Sequence, residues 1–126
     1  MNLNKAELIG NLTGDPAVRK LRSGASVASF TVATSRSWKG DSGTKKEVEF
    51  HPVTAWGQLG QIAAKYLKKG DKVYIDGRLK TTAFQGKKGK VVKTEIVAQN
   101  LIMLGQAKVE KSNDEVVVEE MDPEKV

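Results

Sequence analysis

The stretch FTVATSRSWKGDSGTKKEVEFHPVTAW, residues 30–56, decides the fold. It reads as two strands joined by a basic, glycine-bearing loop over residues 37–46. Phe30, Thr31, Val32, Ala33 and Thr34 are strand formers, and the run 47–56 is of the same kind. Side chains alternate between the two faces of a strand. Phe50, Thr54 and Trp56 therefore share one face, and Glu49, His51, Val53 and Ala55 the other. The spacing from Phe50 to Trp56 is roughly 20 Å at strand rise. That is too far for the rings to touch, but it suits two stacking points along an extended polymer. Trp38 stands at the mouth of the loop beside Arg36 and Lys39. Aromatics interleaved with cations are what a base-stacking, phosphate-neutralising groove requires. The competing reading places these rings in the core, where most aromatics belong.

Downstream of this stretch, GQLGQIAAKYLKKG (57–70) carries Leu59, Ile62, Ala63, Tyr66 and Leu67 at helical spacing. Lys65, Lys68 and Lys69 suit the negative end of the helix dipole, and Gly70 is a stop. Tyr66 is assigned to the core. Residues 72–84 form a long strand with Val73, Ile75, Gly77 and Leu79 on one face. QGKKGK (85–90) is a flexible basic hairpin, 91–98 a returning strand and 101–104 a short apolar closing segment. Upstream, 4–11 is a short strand in which Gly10 marks a bulge or tight bend. TGDP (13–16) is a turn, after which 17–22 continues the first strand as a basic stretch, and 26–36 is the second strand, with one apolar face. Five strands with one helix between the third and the fourth predict an all-β chain with the OB-fold, a small five-stranded Greek-key barrel.

The domain is expected over residues 1–105. From 106 to 126 the apolar pattern fades, acids dominate, and the tail is expected to be disordered. The charge is divided in the same way. The chain carries +6, but the tail has seven acids against three lysines, a net of −4, so residues 1–105 carry +10. A basic body with an acidic tail suggests a polyanionic partner. The absence of cysteine excludes disulfides, thiol catalysis and cysteine-based zinc sites. No apolar run reaches the length of a membrane span, and MNLNKAELIGNL has no signal-peptide pattern, so a cytoplasmic location is expected.

With these segments in hand, NKAELIGNLTGDPAVR, FTVATSRSW, EFHPVTAWGQLGQIAAKYLKKGDKVYIDGRL and TTAF closely resemble the bacterial single-stranded DNA-binding proteins. The resemblance spans residues 4–104. It implies an OB-fold, a homotetramer, and sequence-tolerant binding of single-stranded DNA during replication, recombination and repair, with no catalysis, no cofactor and a nucleoid-associated location. It implies base stacking at Trp38, Phe50, Trp56 and Phe84. The position of His51 lies near a subunit interface in the family, and Tyr74 is expected to pack on a neighbouring subunit. Arg19, Lys20, Arg22, Arg36, Lys39, Lys45, Lys46, Arg78, Lys80, Lys87, Lys88 and Lys90 are the candidate phosphate contacts, the hairpin lysines foremost. The acidic tail is the segment that would recruit replication and repair proteins. Here it ends EEMDPEKV, without the aromatic tip of the family, and Ala6 and Glu7 replace a more apolar run in the first strand.

Two other readings stand beside this one. Glu47, Glu49 and His51 are spaced by two, a possible metal set for a nuclease, although a structural role is several times more common for such a pattern. Binding of RNA rather than DNA stays open, because stacking tolerates either sugar.

Overall fold

The computed structural model of the chain describes residues 1–105. The acidic tail and its expected disorder lie outside the described residues. In chain order the elements are β1 (Ala6–Leu12), β2 (Ala17–Lys20), β3 (Ser26–Gly40), β4 (Gly43–Trp56), α1 (Gly57–Tyr66), β5 (Lys72–Gly86) and β6 (Gly89–Gly105). The sheet order is β1-β5-β6-β4-β3-β2, and β1 also pairs with β3. Five strands thus close into a barrel, β1-β5-β6-β4-β3, and β2 is a short extra strand on the outer edge of β3. The helix falls between the third and fourth barrel strands, which is the expected OB-fold.

Alternation creates the core. Ala28, Phe30 and Val32 from β3, Val53 and Ala55 from β4, Val73 and Ile75 from β5, and Ile96 and Ala98 from β6 all point inward and are buried. Ala63 and Leu67 close one end from the helix side. At Gly10 the strand β1 passes from β5 to β3. A Cβ there would fall onto the Ala33 carbonyl oxygen, so the glycine permits a close backbone approach that completes the barrel.

Five sequence expectations change. The segment 37–46 is not an open loop: β3 and β4 run on as a paired ribbon to a turn of Asp41 and Ser42, after which Gly43 at φ 118° reverses the chain. Residues 85–90 behave alike, with Lys87 and Lys88 as the turn and Gly89 at φ 124°. The polar composition of both ribbons reads as loop because neither of their faces is buried. The segments 91–98 and 101–104 are one strand, β6, interrupted only by a register shift opposite Asp76 and Gly77. Finally, the helix stops at Tyr66, before Gly70. The backbone N–H of Lys68 donates to the Asp71 carboxylate (2.9 Å) and that of Gly70 to the Leu12 carbonyl (2.9 Å), which draws the chain off the helix and onto β1. Tyr66 is exposed rather than in the core, because the helix buries only the side that carries Gly60 and Ala63.

Candidate nucleic-acid interface

Residues opposed across a ladder share a face. From β3 to β4 the opposed pairs are Val27–Trp56, Ser29–Thr54, Thr31–Pro52 and Ala33–Phe50. Arg19 of β2 lies opposite Val27, and Thr54 pairs with Val97 of β6. From β6 to β5 the pairs Val97–Arg78, Glu95–Lys80, Lys93–Thr82 and Val91–Phe84 continue the same face. One outward surface therefore crosses five strands and gathers Phe50, Trp56 and Phe84 with Arg19, Lys39, Lys46, Arg78 and Lys80. The rings are 64%, 41% and 51% exposed, which rules out the core for all three. Phe30, one parity away, is 6% exposed and belongs to the core.

Trp38 is exposed as well, but it lies on the reverse of its ribbon, opposite Lys45. The Arg36 guanidinium sits 4.6 Å from its ring centroid and its Nε 3.4 Å from Glu47 Oε1. Arg36 thus covers one side of the indole, which leaves the other for a base. Lys87 and Lys88 stand at the tip of the β5–β6 hairpin, and Arg22 at the β2–β3 turn, where Leu21 N–H donates to the Ala25 carbonyl (2.8 Å). Lys93 belongs to the same outward face as Phe50 and was not among the candidates. Its parity becomes readable only once the Lys87–Lys88 turn fixes the pairing with Thr82.

His51 takes the face of β4 opposite to Phe50, and its Nε2 hydrogen-bonds Thr34 Oγ1 at 2.8 Å. With Glu47 held by Arg36 and His51 by Thr34, the Glu47, Glu49 and His51 set does not assemble. No group of three His, Cys, Asp or Glu that could hold a metal ion is found among the described residues. Tyr74 donates its phenol O–H to Glu7 (2.9 Å) and to Asp76 (3.0 Å), and Asn100 Nδ2 donates to Asp76 at 3.0 Å. The hydrogen bond to Glu7, then that to Asp76, pushes the Tyr74 phenol well above its usual range. The Asn100 amide holds the Asp76 carboxyl below the usual one. Ile9 and Ile102 flank Tyr74 across the ladder and are exposed.

Residues 3–104 match the model of the Single-strand binding protein family. The chain belongs to that family. It is 48% identical over 106 residues to Single-stranded DNA-binding protein 1 of Chlorobaculum tepidum, covering 82% of this chain and 65% of the relative. It is 44% identical over 108 residues to the Single-stranded DNA-binding protein of Neisseria meningitidis serogroup B, covering 83% and 62%. The chain thus spans just under two thirds of the length of these relatives. Among solved structures it is similar to one described as Plasmodium falciparum SSB complex with ssDNA, at TM-score 0.76 and 31% identity, covering 82% of this chain and 96% of that one. Membership in the single-strand binding protein family accords with the barrel and its exposed rings. No helix among the described residues is long and apolar enough to cross a membrane.

Proposed function

We propose that the chain binds single-stranded DNA without strong sequence preference, in replication, recombination and repair, as a non-catalytic homotetramer of the bacterial cytoplasm. The observation that carries this reading is the single outward face on which Phe50, Trp56 and Phe84 stand exposed among cations. Unpaired bases offer flat faces, so exposed rings capture them whatever their identity. Lys46, Lys80 and Arg78 neutralise phosphates and release counterions. Lys87 and Lys88 extend this charge to the hairpin tip. Trp38, steadied by Arg36, offers a fourth ring to a strand that wraps around the β3–β4 ribbon. Tyr74 and His51 serve assembly. The apolar rims of Tyr74, Ile9 and Ile102, suit a second copy of the barrel. The test is a Phe50→Ala, Trp56→Ala double variant, checked for folding by circular dichroism and titrated with an oligo-dT. Each lost stacking partner is worth about 1–3 kcal/mol, so affinity should fall at least tenfold. Unchanged affinity in a folded double variant would refute the assignment.

A further inference from the structure

Along the outward side of β4 the residues run Phe50, Pro52, Thr54, Trp56, so the two rings bracket a stretch without a large side chain. There the surface sinks into a cavity of about 180 Å³ at the seam of β3, β4 and β6. Its polar lining comes from Ser29, Thr31, Thr54, Lys93 and Glu95, and Pro52 supplies an apolar wall. Thr54 is 9% exposed, and its Oγ1 is buried without a hydrogen-bond partner among the described residues. A buried hydroxyl left unpaired is costly, and a ligand edge entering the cavity would give it a partner after rotation about χ1.

Glu95 is the residue that a phosphate-binding surface does not explain. Its side chain is only 18% exposed, 4.0 Å from Lys93 Nζ, and it faces Lys80 across the ladder. A carboxylate there repels phosphate. It is, however, an acceptor suited to an exocyclic amine, and Glu accepting from cytosine N4 is a standard base contact. Lys93, two residues along the same face, supplies a donor for the ring nitrogen or carbonyl of the same base edge. Thymine would set its O4 carbonyl against the carboxylate instead. We infer that this cavity is a base-reading subsite that takes the Watson–Crick edge of a cytosine from a strand stacked on Phe50 and Trp56. The inference rests on the proposed single-strand binding and adds a bias to it; sequence-tolerant sites of this type keep modest preferences.

The experiment compares oligo-dC and oligo-dT of equal length, titrated at one salt concentration against the full chain and its Glu95→Gln variant by tryptophan quenching. Removing a negative charge strengthens phosphate binding to both oligomers alike, so a purely electrostatic Glu95 leaves their affinity ratio unchanged. A base-reading Glu95 does not, because glutamine can donate its amide N–H to thymine O4. The dC-to-dT affinity ratio should fall about fivefold in Glu95→Gln, the low end for one base-edge contact. Thr54→Val keeps the shape of the side chain without its hydroxyl, and it should lower the same ratio at least twofold. An unchanged ratio in folded Glu95→Gln overturns the subsite. Should that variant melt early, the ratio in Thr54→Val decides alone by the same criterion. If the unaltered chain binds neither oligomer, the proposed function itself falls; binding with an unmoved ratio removes only the subsite.

Discussion

Phe30 and Phe50 lie twenty positions apart on neighbouring strands and have opposite fates. Phe30 is enclosed at 6% exposure and Phe50 stands out at 64%. Phe30→Ala should cost about 3–5 kcal/mol of stability through the cavity it leaves. Phe50→Ala should change stability by less than about 0.5 kcal/mol, as an exposed site does, and weaken DNA binding instead. Denaturant melts beside oligomer titrations separate the two. At Tyr74 the prediction concerns pH. The folded protein holds the phenol protonated between Glu7 and Asp76, so its pKa is raised above the unfolded value. The stability this gives is fully present below the usual phenol pKa of about 10 and declines as pH rises beyond it. Melting between pH 8 and 11 should show that decline, and Tyr74→Phe should flatten it. Strand parity alone separated Phe50 and Trp56 from their buried neighbours. The partnership of Tyr74 with Glu7 was not legible, because it joins residues 67 positions apart through a pairing that no local pattern records.

At the level of elements, the outer ends of the two long hairpins are exposed and carry Lys39, Lys45 and Lys46 on one and Lys87, Lys88 and Lys90 on the other. Lys87 and Lys88 form the turn of the β5–β6 hairpin. Replacing both with alanine should make the slope of log K against log salt less negative by about 1.4 for a single strand, if each contacts one phosphate. The fold should be unaffected, since the reversal depends on Gly89. Titrations at four or five salt concentrations measure the slope directly. An unaltered slope would mean that the tip does not touch the strand. The barrel portions of β3, β4 and β5 were readable because burial on one side imposes alternation on Ala28–Phe30–Val32, Val53–Ala55 and Val73–Ile75. The ribbon ends escaped notice because both their faces meet solvent, and β6 appeared broken because its polar Gln99 and Asn100 fall where the register shifts.

For the whole molecule, a barrel carrying a basic, aromatic outer face has the charge and the flat rings that the proposed binding of a single strand requires. The element order of the barrel could be anticipated from sequence, and so could the shared face of Phe50 and Trp56, which strand parity places together. That Trp38 lies on the reverse of the ribbon could not, because its parity relative to Phe50 depends on a turn of only two residues between β3 and β4. The chain has two tryptophans, Trp38 and Trp56, and both stand at candidate stacking positions. Tryptophan fluorescence is thus a direct reporter of the proposed contact. The most direct test is titration of that fluorescence with poly-dT over a range of salt, against duplex DNA of equal length. The account predicts strong quenching by the single strand, affinity falling linearly in log–log with salt, and much weaker binding to duplex. Absent quenching, binding indifferent to salt, or equal affinity for duplex would contradict it.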